Sequence, residues 1–314
     1  MSRALVLLGP TGVRGRALRR AHAREGGDLR LLCLSRRPLV SDDVDVDVVT
    51  GDVRSVPAAL LERAGPEHVV VHLAVKQVDD DGAGFEETNV RAVERLLARL
   101  DPARCRGLVY ASSASVYGRG PLRAVTEDAP PRPATPLARS RAAAERLVLA
   151  WGRARGVGVR VVRTRFVVAA GDPALRALAA RAVLPGTGAQ RLSLILEDDL
   201  GRALLALARG LFERPPTQEA LNLALTHAPR LADALAALAP RRRRWLPVPA
   251  PLLAPLLALA DRALPRALRR PLDRLDLLAH DQTLACDRAV ERHGLAHLAR
   301  TPAETLARLQ EAVA

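Results

Sequence analysis

Aromatic residues are scarce in this 314-residue chain: three Phe, two Tyr and two Trp, 2% of the total. Reading single-stranded nucleic acid by base stacking needs a platform of rings, and so few rings do not provide one. The formal net charge of +14 would suit a nucleic-acid partner. The arginines, however, are spread along the chain rather than gathered in one patch, so no nucleic-acid partner is expected. Lysine is nearly absent. Lys76 is the only one, and the abundance of Arg, Ala, Leu and Pro reads as a GC-rich coding bias. The three cysteines, Cys33, Cys105 and Cys286, lie far apart without metal-ligand spacing. No metal site is expected, and a reduced, cytoplasmic setting is. No uninterrupted apolar run reaches the ~18 residues of a membrane span. Leu5–Leu8 is too short for a signal peptide and runs into glycine, so neither a span nor a leader is expected.

What is present is a large apolar fraction, 49%, made mostly of Leu, Val and Ala. That marks a folded chain, long enough for an α/β domain with a smaller appended part. Its opening organises the rest: a strand-length apolar run, Leu5–Leu8, meets Gly9-Pro10-Thr11-Gly12-Val13-Arg14-Gly15. Glycines spaced G-x-x-G-x-x-G between a strand and a helix suit a dinucleotide turn. Gly9 allows the tight turn, Gly12 lets a pyrophosphate approach the backbone, and Gly15 lets helix and strand pack closely. The phosphates would rest on N–H groups at the helix N-terminus, within Thr11, Gly12, Val13 and Arg14.

The remaining pattern alternates strand and helix. Helix is expected over 13–25, strand over 29–34 and 44–50, helix over 55–64, and strand over 68–74. Helix follows over 85–100, strand over 107–111, a long helix over 137–155, and strand over 157–164. Such alternation predicts an α/β fold with a doubly wound parallel sheet. After the second strand an NAD-preferring fold carries an acid for the ribose 2′-hydroxyl. Here Ser35-Arg36-Arg37 stands instead. A guanidinium binds a 2′-phosphate bidentately. NADP(H) is therefore expected over NAD(H), with Arg36 leading and Arg14 or Arg37 assisting; the alternative is a solvated basic loop.

Several segments together resemble the extended short-chain dehydrogenase/reductases, the NAD(P)-dependent epimerases and dehydratases. They are Gly9–Gly15, Gly51-Asp52-Val53, His72-Leu73-Ala74, Thr88-Asn89-Val90 and Ser112-Ser113-Ala114-Ser115-Val116-Tyr117-Gly118, followed by Arg165, Glu197–Leu200, Leu221–Ala224 and Ala285–Asp287. The resemblance implies a Rossmann-type sheet over 1–165, joined by 190–226, and a smaller C-terminal substrate-binding cap over 166–189 and 227–314. It implies cofactor contacts from Asp52, Val53, Leu73, Ala74, Val75, Asn89, Ala111 and Ser112. A homodimer is a family expectation.

The family's Tyr-x-x-x-Lys pair is missing. Pro136, Ser140 and Glu145 set a register that puts Leu137 at the tyrosine and Arg141 at the lysine. Neither Tyr110 nor Tyr117 has a basic residue four positions later. Leucine has no proton to give, and guanidinium stays charged. Arg141 can still hold a ribose. Other proton-handling candidates are Ser113, Lys76 and Glu127, with Asp128 beside it; for each, a surface or packing role stands as the alternative. His72 reads as a packing residue.

Arg241–Arg244 could bind an anionic substrate group or be a solvated charge run. Leu252–Leu275, broken by prolines, reads as pocket-closing or subunit-pairing helices rather than a membrane-surface helix. Three functions follow: an NADP(H)-dependent reductase, epimerase or dehydratase acting on a small metabolite with a non-standard proton donor; a catalytically silent NADP(H) sensor or partner protein; and a non-redox cyclase, lyase or isomerase on the same fold.

Overall fold

The computed structural model describes residues 3–39, 46–78, 84–170, 180, 183–185, 187–239, 244–246 and 280–311. Arg241–Arg243 and Leu252–Leu275 lie outside them.

Near-continuous apolar runs are the signature of strands buried on both faces, and they form the middle of the molecule. The strands β1 (Ala4–Leu8), β2 (Arg30–Ser35), β3 (Asp47–Thr50), β4 (His68–His72), β5 (Cys105–Ala111), β7 (Gly158–Thr164) and β11 (Gln218–Leu223) make one sheet. Its order is β11-β7-β5-β4-β1-β2-β3, and every pairing is parallel. This is the doubly wound architecture expected. The chain reverses its direction of travel across the sheet between β1 and β4, which puts a crevice at their C-terminal ends.

One face carries α1 (Val13–Glu25) and α6 (Glu197–Glu213), packed on Leu5, Leu7, Val69, Val71 and Val109. The other carries α2 (Ala58–Arg63), α4 (Ala92–Arg99) and α5 (Pro136–Arg155), packed on Val6, Leu8, Val70, Leu108 and Tyr110. Alternate residues of each strand thus feed opposite cores. α5 begins where local chemistry dictates: the Thr135 hydroxyl accepts from the Ala138 N–H at 3.1 Å and proline opens the helix. It ends at Gly156 in the left-handed conformation.

The helix expected over 85–100 is interrupted. Gly84–Glu86 (α3) leads into a π-helical turn, Glu87–Arg91, before α4. Three pairings join distant segments that the strand pattern did not reveal: β6 (Leu122–Val125) with β13 (Gln282–Leu284), β8 (Phe166–Val168) with β10 (Leu194–Leu196), and β9 (Val183–Pro185) with β12 (Arg244–Leu246). Strands of three or four residues carry too little pattern to be read. The described C-terminal helices α7 (Leu231–Leu238), α8 (Asp287–His293) and α9 (Pro302–Glu311) place Leu235, Ala289 and Leu309 in the same apolar cluster as β1 and β4.

Candidate functional site

The three glycines of the first turn divide into two kinds. Gly9 has φ +90°, and a Cβ there would lie 2.7 Å from the Ala74 nitrogen. A Cβ on Gly15 would overlap the Gly9 carbonyl oxygen and come within 2.7 Å of Pro10. Both are therefore demanded by the chain's own backbone. Gly12 has φ −72°, open to any residue, and a Cβ there would meet nothing within 4 Å. Nothing among the described residues requires glycine at that position. The open space there would fit a dinucleotide phosphate laid against the backbone. Gly12 caps α1 without a side-chain hydrogen bond, and the helix has no acid in its first turn. By contrast α6 opens on Glu197, Asp198 and Asp199. The positive end of α1 is left without a covalent anion. Thr11 is exposed and Val13 half-buried on either side.

Across the crevice, the β4 exit is pinned. Leu73 is buried, and its N–H donates to the Leu8 carbonyl at 2.8 Å; Ala74 and Val75 follow, half-buried. Asn89, on the π turn, is buried. It accepts from the Lys76 N–H at 2.8 Å and donates to the Lys76 carbonyl at 3.1 Å and the Ser140 hydroxyl at 3.0 Å. It thereby ties the β4 loop to α5, and π turns recur at such sites. The Lys76 side chain is half-buried.

At the β2 end, Ser35 is buried while Arg36 and Arg37 are exposed, and the Arg37 N–H lies 3.4 Å from the Ser35 hydroxyl. Asp52 is gripped by Arg54 through Nε and Nη2 at 3.1 and 3.0 Å. That bond, aided by the nearby Arg36 charge, holds its carboxyl below the usual range. Val53 packs, half-buried, against the α2 side of the core.

Arg14 does not join this end. Its Nη2 donates to the Thr164 hydroxyl at 2.7 Å, at the close of β7. In the sheet order β7 lies four strand positions from β2, roughly 19 Å at usual strand spacing. The expectation that Arg14 assists Arg36 is thereby corrected: the side chain turns into the crevice, away from the basic loop.

At the ends of β5 and α5 the predicted catalytic residues separate. Ser113 is buried and caps a 3-10 turn, Ala114–Tyr117, accepting from the Ser115 N–H at 3.2 Å. Ala111 and Ser112 are buried beside it, and the Ser112 hydroxyl has no partner among the described residues. Arg141, also buried, brings Nη1 to 3.5 Å from the Ser115 hydroxyl, while its Nε is unpartnered. Burial, with the charges of Tyr110 and Glu145 opposing it, lowers the Arg141 pKa. Burial and the Arg141 charge pull Arg14 down to about 10.

Glu127 lies elsewhere. Its Oε1 accepts from the Asn222 N–H at 2.8 Å, and its Oε2 sits 3.7 Å from Arg288. The solvated-loop alternative is corrected: Glu127 is built into the joint between β11 and α8. Asp128 is exposed, bonded to Arg288 at 2.7 Å. Both tyrosines are accounted for as well. Tyr117 donates to Asn222 at 2.8 Å and accepts from Arg163 at 2.9 Å. The Tyr110 hydroxyl is buried without a partner, and burial raises its pKa. His72, also unpartnered, packs its ring 5.5 Å from that of Tyr110, and burial lowers its pKa to about 4.

A buried ion pair was missed in the sequence. Arg163 reaches Glu145 through Nη2 at 2.6 Å and Nε at 3.1 Å. Burial acts to lower its pKa, but the Glu145 and Tyr117 bonds outweigh that and hold it above the usual value. Arg165, the residue the resemblance singled out, instead bonds Gln282. Arg163 stands two residues before Arg165, and only tertiary placement distinguishes them. The three cysteines are buried, and burial raises each thiol to about 12. No cluster of His, Cys, Asp and Glu fit for a metal occurs among the described residues, and none of their helices is long and apolar enough to cross a membrane.

Comparison with known proteins agrees with this geometry. The chain is 32% identical over 136 residues to a dTDP-glucose 4,6-dehydratase of Streptomyces niveus, covering 43% of this chain and 37% of that protein. It is 34% identical over 117 residues to one of Streptomyces griseus, covering 36% and 35%. The match thus spans little more than a third of the curated relatives' length. Among solved structures, MoeE5 in complex with UDP-glucose and NAD aligns with TM-score 0.71 at 24% identity over 98% of both chains. A UDP-galactose 4-epimerase aligns with TM-score 0.67 at 20% identity over 98% of both. These likenesses show the same fold. The model of the NAD dependent epimerase/dehydratase family matches residues 5–224, and the chain, with its sheet and glycine turn as described, belongs to that family.

Proposed function

We propose that this chain is a nicotinamide-dependent enzyme of sugar-nucleotide or related small-metabolite chemistry that prefers NADP(H) and moves its proton by a non-standard group. The openness at Gly12, where neither φ nor packing calls for glycine, carries the dinucleotide reading. The named relatives act on or bind nucleotide sugars, which supports that substrate class. When bound, the nicotinamide supplies a carbon that accepts or returns a hydride.

The chain's own residues bind, orient and hold. Thr11, Gly12 and Val13 present backbone N–H groups to the phosphates. Arg36 and Arg37, exposed at the β2 end, take the 2′-phosphate. Asn89 fixes the β4 loop against α5. Leu137 and Arg141 stand where the family keeps its proton relay, so Arg141 orients and does not titrate. Tyr117 is fully bonded, Tyr110 is held protonated by burial, and Glu127 is committed to Asn222. Ser113 and Lys76 remain as the groups through which a proton passes, and loss of the usual acid–base pair costs ~10²–10⁴-fold in rate.

Melting temperature measured with each cofactor tests this. NADPH should raise it more than NADH at equal concentration, and Arg36→Ala should equalise the two. Equal shifts in the parent chain would remove the NADP(H) preference; no shift with either would remove the dinucleotide site.

A further inference from the structure

Two guanidinium groups meet over the C-terminal ends of β5 and β7. Arg14 arrives from the first turn of α1 and is anchored on the Thr164 hydroxyl at 2.7 Å. Arg141 arrives from α5 and has only a 3.5 Å contact with the Ser115 hydroxyl. Among the described residues no carboxylate lies within ion-pair distance of either. The nearest acid along α5, Glu145, is engaged by Arg163 through both of its oxygens. Arg141 Nε and Tyr110 Oη, the latter within electrostatic reach of both guanidiniums, are buried without partners, as is Ser112 Oγ just past the end of β5.

A buried, unpaired charge is costly, and two like charges raise that cost. Burial and the Arg141 charge together lower the Arg14 pKa to about 10. Everything free to bond here is a donor or a rotatable hydroxyl. The complement of such a set is an oxyanion, whose oxygens accept the forked N–H pairs bidentately. The dinucleotide's own pyrophosphate belongs at Gly12, over β1, whereas the guanidiniums converge three strand positions away.

We propose that Arg14 and Arg141 form a two-guanidinium clamp for an oxyanion of the substrate, a carboxylate or a phosphate, held beside Ser113. The clamp rests on the reading of this crevice as the nicotinamide and substrate site, and it narrows the substrate to an acid. In that role Arg141 replaces a titrating lysine with a permanent charge, exchanging proton transfer for binding.

The test uses the full chain and two probes, inorganic phosphate and malonate, at fixed ionic strength, read by calorimetry and melting temperature with and without saturating NADPH. The clamp predicts saturable binding of at least one probe, kept in the presence of NADPH. Binding should weaken tenfold or more in Arg14→Leu and in Arg141→Met, and recover in part in Arg141→Lys. Circular dichroism confirms folding, and the lysine variant keeps the test open if the methionine variant does not fold. Probe binding abolished by NADPH would assign the oxyanion to the cofactor and overturn the clamp for substrate. So would equal probe binding in the parent chain and all three variants, or none at all. Arginine-dependent probe binding in a chain that ignores NADPH and NADH would support the clamp while defeating the dinucleotide reading.

Discussion

Glu145 and Arg141 lie one turn apart on α5, and the two arginines nearest to them have opposite fates. Arg163 is buried with its charge answered: both Glu145 oxygens, the Tyr117 hydroxyl and the Glu127 carbonyl accept from it. Arg141 is equally buried, but among the described residues it forms no ion pair, its one bond going to the Ser115 hydroxyl at 3.5 Å. The first arrangement is what a fold does with a charge it keeps for itself. The second is the arrangement on which the proposed oxyanion clamp rests. Identical side chains, one on α5 and one on β7, are told apart by their partners.

The widest gap between the two should come from removing an acid. Glu145→Gln leaves Arg163 buried without its counter-charge and should cost about 3–5 kcal/mol of unfolding free energy. Arg141→Met removes a charge that has no partner and should cost less than about 1 kcal/mol or stabilise. Urea denaturation of both variants decides, and equal losses would erase the distinction.

His72 belongs with the unanswered groups. Its pKa of about 4, against 6.5 ordinarily, means that the folded chain holds fewer protons than the unfolded chain between those values. Stability should therefore fall as pH drops through that window, by roughly 3 kcal/mol from this residue. His72→Phe should flatten that part of the pH–stability curve; an unchanged slope would place the acid sensitivity elsewhere.

The smallest effect uses the glycine turn, where the same division recurs. Gly15→Ala forces a Cβ into Gly9 and Pro10 and should destabilise by about 1–3 kcal/mol. Gly12→Ala should leave stability within about 0.5 kcal/mol while weakening NADPH binding at least tenfold. Calorimetry with NADPH, paired with denaturation, separates the two; a Gly12 variant that binds normally would show that the open space is not used.

The glycine turn and the parallel sheet were legible from the chain because they rest on local rules. Strand-length apolar runs and a G-x-x-G-x-x-G spacing each act within a few residues. The π turn was not legible: nothing in Glu87–Arg91 breaks a helix, and the bulge is seen through Asn89 bonding across to Lys76 and Ser140. Glu127 was misread because a loop carboxylate is usually solvated, while its partners sit 95 residues away at Asn222 and beyond at Arg288. Arg14 was assigned to the nearest basic loop in sequence, and its reach to Thr164 spans 150 residues.

By itself, the order of residues determined that this chain builds a doubly wound sheet that opens on a glycine-rich turn, since periodicity and glycine spacing are properties of neighbours. Only the tertiary structure decided which of the described arginines are ion-paired and which are not. The free energy of a buried charge depends on what stands within a few ångströms of it, and those partners come from strands and helices far apart in the chain.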